Sequence, residues 1–127
     1  MVNKTLTKVI YIEDEDDIRT VVEIALLMGN FSTTLCSSGA EGLKLAQQLQ
    51  PDLILIDVMM PEMDGPATLI ALRNNPITKN IPVVFMTARS QKHEIEYFKS
   101  LGVVDVIVKP FNAMTLATEI ETIWKNI

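Results

Sequence analysis

The sequence predicts an α/β protein with one five-stranded parallel sheet and helices on both faces. Two observations carry this. Short apolar runs alternate five times with segments whose apolar residues recur every three or four positions, all within 127 residues. Four of those runs end on polar or charged residues, and such a sheet gathers its chemistry at that edge.

The elements follow in order. Val9–Glu13 reads as the first strand. Ile18, Val21, Val22 and Ala25 continue at helical spacing until Gly29-Asn30 stops the helix. Phe31–Cys36 is a second strand with polar threonines. Ser38 and Glu41 stand at capping-box spacing before Leu43, Ala46 and Leu49, and Pro51 ends that helix. Asp52-Leu53-Ile54-Leu55-Ile56 is too short for a buried helix and suits a fully buried strand ending at Asp57. A helix starts near Pro66, carries Leu69 and Leu72, and stops before Pro76. Pro82–Met86 is the fourth strand, entered by a proline that needs no ladder donor. Residues 91–101 form a largely polar helix closed by Gly102. Asp105–Val108 is a short fifth strand. Leu116, Ile120, Ile123, Trp124 and Ile127 mark a last helix, and their spacing reads as core.

Parallel strands joined by right-handed helical crossovers favour the flavodoxin-like order 2-1-3-4-5. In that order the first and third strands are neighbours. Glu13 and Asp14 therefore meet Asp57 at the C-terminal edge, although more than 40 positions separate them in sequence. The chain, 48% hydrophobic, fits one domain spanning residues 1–127. No apolar run approaches the roughly 20 residues of a membrane span. Met1-Val2-Asn3-Lys4-Thr5 lacks the apolar stretch of a signal peptide, so a cytoplasmic location is expected. Net charge is −5 and no basic stripe occurs, which argues against direct nucleic-acid binding. Cys36, the single cysteine, reads as a small buried hydrophobe. His93, the single histidine, reads as an exposed helical residue.

Three carboxylates converging on one edge repel unless a cation lies among them. Their hard oxygen donors favour Mg²⁺, which keeps several waters and needs few protein ligands. Asp14 and Asp57 read as direct ligands, Glu13 as a ligand acting through water, and the Met59 backbone carbonyl as completing the set. Glu15, Asp16 and Asp17 read instead as acids favoured by a helix N-terminus. An aspartate beside such a metal can attack a phosphoryl group and form an acyl phosphate. Thr87 offers a hydroxyl donor and Lys109 a positive charge for phosphoryl oxygens. Lys109 follows the apolar run Val106-Ile107-Val108, where a charge needs a partner, and Asp57 is the natural one.

The chain resembles a response-regulator receiver domain of two-component signalling over essentially its whole length. The resemblance rests on Val9-Ile10-Tyr11-Ile12-Glu13-Asp14, the stretch from Asp52 through Asp57 to Pro61, Asp64 and Gly65, Met86-Thr87-Ala88, and Val108-Lys109-Pro110-Phe111. It implies that Asp57 accepts phosphate from a phosphohistidine on a histidine kinase or histidine phosphotransfer protein. It further implies that Glu13 and Asp14 help hold Mg²⁺, that Thr87 and Lys109 contact the phosphoryl group, and that Lys109-Pro110 is cis. An unidentified downstream protein would read the surface of the chain, as a monomer or as a phosphorylation-dependent dimer. Met59 and Arg89 fall where the family gates attacking water; apolar Met59 cannot orient water, so slow loss of the phosphoryl group is expected. The family usually carries an aromatic switch residue where this chain has Val106, so the usual coupling of threonine to a ring is not expected.

Two other readings compete. A phosphatase of the haloacid-dehalogenase type would need an aspartate two residues after the nucleophile, where Met59 stands. A degenerate receiver acting as a binding module would not need the complete set Glu13, Asp14, Asp57, Thr87 and Lys109. The start at Met1 and the finish on a full helix favour a standalone domain over a piece of a longer regulator or hybrid kinase. No classical enzyme constellation is present, so the expected chemistry is self-catalysed phosphorylation and dephosphorylation at Asp57.

Overall fold

The computed structural model describes residues 4–127; Met1, Val2 and Asn3, part of the stretch read above as lacking a signal peptide, lie outside the described residues. Ten elements alternate: β1 (Lys8–Ile12), α1 (Asp16–Leu26), β2 (Ser32–Cys36), α2 (Gly39–Leu49), β3 (Leu53–Asp57), α3 (Gly65–Arg73), β4 (Val83–Thr87), α4 (Lys92–Ser100), β5 (Asp105–Val108) and α5 (Leu116–Lys125). The strands form one parallel sheet in the order β2-β1-β3-β4-β5, as the alternating pattern predicts. No helix among the described residues is long and apolar enough to cross a membrane.

Side chains alternate between the sheet's faces, so each strand feeds two cores. Val9, Tyr11, Leu53, Leu55, Val84, Met86 and Ile107 pack with Val22, Ala25 and Leu26 of α1 and with Leu116, Ile120 and Trp124 of α5. Ile10, Ile12, Ile54, Ile56, Val83 and Phe85 pack with Ala46 of α2, Leu69 and Leu72 of α3 and Phe98 of α4. Every residue of β3 is buried, which explains its unbroken apolar run. Truncating any of its aliphatics to Ala would leave a cavity costing about 2–5 kcal/mol.

Several boundaries differ from the pattern, each for a local reason. Glu13 lies one residue beyond β1, although its N–H still reaches the Cys36 carbonyl at 3.0 Å. The fourth strand starts after Pro82 and includes Thr87. Helix α1 ends at Leu26, and Val21 turns half outward, because Val22, Ala25 and Leu26 take the core-facing positions. Ser38 caps α2 by accepting from the Glu41 N–H at 3.1 Å, but the Glu41 carboxylate accepts from the Ser37 N–H, one residue before the N-cap, so the capping box does not close. Gly102 follows α4 with φ of 102°, a left-handed conformation that only glycine adopts without strain.

The N-terminal edge is held by a polar clasp that the sequence pattern did not mark. Asp52, just before β3, accepts from the N–H groups of Thr7 and Lys8 at 2.9 and 3.0 Å, and its other oxygen lies 2.6 Å from the Lys4 ammonium. The Lys4 carbonyl in turn accepts from the Trp124 indole at 2.7 Å. Burial alone would raise the Asp52 carboxyl; Lys4 and the two backbone donors outweigh it and hold the group below its ordinary value. A carboxyl so lowered contributes stability that is present at neutral pH and lost as pH falls. Asp52→Ala should therefore cost ~2 kcal/mol at pH 7 by leaving two backbone donors unmet, with the deficit shrinking in acid, as read by urea unfolding at several pH values.

Candidate functional site

The C-terminal edge gathers the polar strand ends. On β3 the alternation Leu53, Leu55, Asp57 aims the carboxylate to the side of α1 and α5. Tyr11 and Glu13 follow the same parity after Val9, and Lys109 follows Ile107. Thr87 follows Val83 and Phe85, which puts it on the opposite side with α4. The β1–β3 pairing, Ile12 beside Ile56, brings Glu13 next to Asp57.

Carboxylate oxygens of Glu13, Asp14 and Asp57 lie within 4.8 Å of one another. Glu13 and Asp57 are buried and Asp14 is half-exposed, so solvent can reach the group from one side. Lys109 supplies the balancing charge. Its ammonium lies 2.6 Å from Asp57 Oδ1 and 3.1 Å from Glu13 Oε1. These two contacts satisfy the pairing that the apolar run before Lys109 demanded. The oxygens of the three carboxylates form a donor set suited to a hard divalent metal.

Burial pushes the Asp57 carboxyl up to about 6; the Lys109 hydrogen bond pulls it down, while Glu13 and Asp14 push it further up. Burial would lower Lys109, but Asp57 and Glu13 outweigh that and hold its ammonium above the ordinary range. At neutral pH the pair is an ionised carboxylate against an ammonium.

The remaining residues take clear places. The loop from Val58 to Asp64 folds back, with the Gly65 N–H donating to the Val58 carbonyl at 2.9 Å. A Cβ at Gly65 would sit 2.9 Å from Val58 Cα and 3.2 Å from the Asp57 carbonyl oxygen, so only glycine lets α3 begin this close behind Asp57. Asp64 caps α3 by accepting from the Ala67 N–H at 2.9 Å. Met59 exposes its side chain on one wall of a cleft whose other wall carries Arg89, His93 and Tyr97. His93 is exposed. Thr87 is wholly buried, and its oxygen accepts from the Arg89 N–H at 3.0 Å, a local turn bond. The Arg89 guanidinium pairs with Glu94 of α4 at 3.3 Å. Lys109-Pro110 is cis. Val106 is half-buried against the α2–α4 core, beside Phe85, whose ring meets Phe98 edge-to-face at 5.7 Å. Cys36 is buried, and burial pushes its thiol up to about 12.

Two residues escape a motif reading. Tyr11 is fully buried, and its hydroxyl donates to Glu13 Oε1 at 3.0 Å. Arg19 of α1 donates to the Glu13 carbonyl at 2.8 Å and pairs with Asp16. The available signal for Tyr11 was a phenol inside an aliphatic strand, two residues before an acid of the same parity.

The raised Asp57 carboxyl has a testable sign. Between about pH 4 and 6 the folded chain keeps a proton that the unfolded chain has released, so stability falls as pH rises through that window. Without divalent cations, Asp57→Asn should exceed the wild type by ~2 kcal/mol at pH 7.5, and the gap should close below about pH 4. Chemical unfolding at both pH values checks this; an equal gap at each would contradict it.

The chain is similar to known proteins over most of its length. Residues 9–121 match the family model described as the response regulator receiver domain. The chain is 34% identical over 122 residues to the DNA-binding dual master transcriptional regulator RpaA of Synechocystis, covering 95% of this chain and 50% of that protein. It is 32% identical over 121 residues to the transcriptional regulatory protein AfsQ1 of Streptomyces coelicolor, covering 95% of this chain and 52% of that protein. The chain thus spans about half the length of these curated relatives. The chemotaxis response regulator CheY4 of Vibrio cholerae superposes with a TM-score of 0.84 at 29% identity, covering 94% of this chain and 99% of that one. A response regulator from Desulfuromonas acetoxidans gives 0.84 at 26% identity, covering 95% and 98%. Because that family model spans most of the chain, the chain belongs to the response regulator receiver domain family of two-component signalling.

Proposed function

We propose that residues 1–127 form one phosphorylation-activated receiver domain. Asp57 accepts a phosphoryl group from a phosphohistidine of a histidine kinase or histidine phosphotransfer protein, in a Mg²⁺-dependent reaction. The observation that carries this is the buried Asp57 carboxylate, held by Lys109 at 2.6 Å, with Glu13 and Asp14 alongside. Asp14, Asp57 and the Met59 carbonyl would hold the metal directly and Glu13 through water. Bound there, Mg²⁺ would neutralise phosphoryl charge.

The protein groups divide the work. Asp57 Oδ1 is engaged by Lys109, so Oδ2 is the attacking oxygen. It forms the new bond to phosphorus as the phosphorus–nitrogen bond breaks, and the imidazole departs with that electron pair. Lys109 then turns its ammonium toward a phosphoryl oxygen. The Thr87 oxygen already accepts a hydrogen bond, which leaves its proton for the phosphoryl group. Because Thr87 is wholly buried on the α4 side, that contact requires its turn bond to Arg89 to break and the β4–α4 loop to move. Hydrolysis later returns Asp57 to its free state, and Met59 offers attacking water no polar guide.

A groove of about 500 Å³ opens beside Lys109, with an almost wholly apolar lining that includes Ile18 and Val21 of α1 and Pro110, Phe111 and Ala113 after β5. Such a groove suits a phosphodonor helix that offers its histidine next to an apolar stripe. The activated surface of α4, β5 and α5 would address an unidentified downstream protein, as a monomer or a phosphorylation-dependent dimer in the cytoplasm.

Incubation with acetyl phosphate and Mg²⁺ should add one phosphoryl group by intact mass, and none to Asp57→Asn. No adduct on the wild type would leave the binding-module reading in its place. Followed over time, the adduct should decay faster in Met59→Asn than in the wild type. With Val106 in place of a ring, the response should travel through backbone shifts of α4 and β5. Amide chemical shifts measured with a phosphoryl mimic should therefore move in α4, β5 and α5; changes confined to the site loops would defeat this.

A further inference from the structure

Tyr11 is a fully buried phenol in a strand whose other buried residues are aliphatic. Leu55 stands beside it on β3, and the core cluster it belongs to is otherwise built of apolar residues. A buried phenol brings a hydroxyl that must find a partner. It finds Glu13 Oε1 at 3.0 Å, inside the core and next to the acid group.

The Glu13 carboxylate is held from three sides. Oε1 accepts from Tyr11 and from Lys109 at 3.1 Å, and Oε2 accepts from the Glu15 N–H at 3.3 Å. Lys109 is divided, with its shorter contact on Asp57 at 2.6 Å. When Lys109 turns toward a phosphoryl oxygen, Glu13 loses one of its two side-chain donors. The other is neutral. A hydroxyl orients a carboxylate without cancelling the negative charge that draws a divalent cation, as a second lysine would.

We propose that Tyr11 is a positioning residue for the cation site: its hydroxyl fixes the Glu13 carboxylate toward Asp14 and Asp57 and keeps it fixed when Lys109 departs. The proposal rests on the receiver reading given above. In Tyr11→Phe, Oε1 keeps Lys109 as its one side-chain donor. The carboxylate gains rotational freedom, and the lysine becomes a competitor for the place the cation would take.

The test is Tyr11→Phe, which deletes one oxygen and keeps the ring. Calorimetric titration with Mg²⁺ should show affinity weakened about tenfold, the range found for lost second-layer partners. The Mg²⁺ concentration that half-saturates labelling by acetyl phosphate should rise by the same factor, with the saturated rate within about threefold of the wild type. In a Glu13→Gln background the Tyr11→Phe change should have little further effect, since the hydroxyl acts through that carboxylate. A thermal midpoint lowered with Mg²⁺ affinity unchanged would reduce Tyr11 to a structural residue and overturn the proposal. If the wild type itself takes up no Mg²⁺, the receiver reading falls together with it. If the wild type binds Mg²⁺ and Tyr11→Phe binds it equally, only the role of Tyr11 falls.

Discussion

One ammonium group makes the acidic edge of this sheet tenable. Glu13 and Asp57 are buried side by side because β1 and β3 pair directly, and Asp14 adds a third negative charge at the rim. Carboxylates packed this closely in a low dielectric repel strongly unless a cation divides them. Lys109 comes from the far side of the sheet, two strands beyond β3, and touches both buried acids. Ile107, the one buried residue of β5, fixes the face on which the lysine emerges, and the acids fix its charge. In a receiver the same arrangement is held ready for change, since both a metal ion and a phosphoryl group would draw on the charges that Lys109 now balances.

The alternation of side chains divides the site across the sheet. Acids and lysine lie over the α1–α5 core, whereas Thr87 belongs to the face packed by α2, α3 and α4. On the proposed reading a change at Asp57 reaches α4 through Thr87, which ends β4 at the sheet edge on the α4 side. Beneath it the Phe85–Phe98 contact ties β4 to α4, and the Arg89–Glu94 pair ties the intervening loop to the same helix. Both links run from strand to helix without involving residue 106. With valine at that position, α4 stays mechanically attached to the strand that carries Thr87.

How much of this was legible in the sequence depended on whether a feature is periodic or particular. Strand order and the meeting of Glu13, Asp14 and Asp57 follow from alternating elements and from the crossover rule, both of which the chain obeys throughout. The pairing of Lys109 followed from a charge at the end of an apolar run. Particular hydrogen bonds were not legible. Glu41 reaches the Ser37 N–H because the loop before α2 presents that donor, which residue spacing does not encode. Tyr11 passed as one more strand residue because its role depends on a partner two positions away on one face. The half-exposed Val21 fits the helical period of α1 as well as Val22 does, and only packing decides which of them faces inward.

Asp52 and Asp57 show how environment separates residues of one type. They bracket the same buried strand five positions apart, and burial raises the carboxyl of each. At Asp52, Oδ2 takes two backbone donors and Oδ1 takes Lys4, which together overturn the effect of burial and leave both oxygens committed. A carboxylate so saturated is a poor nucleophile and a good clasp. At Asp57, Lys109 engages Oδ1 and the neighbouring acids add to the effect of burial, so the carboxyl stays raised. Among the described residues nothing donates to its Oδ2. The end of the strand where the fold leaves a carboxylate oxygen without a donor is Asp57, and the receiver reading gives that open oxygen to an incoming phosphoryl group.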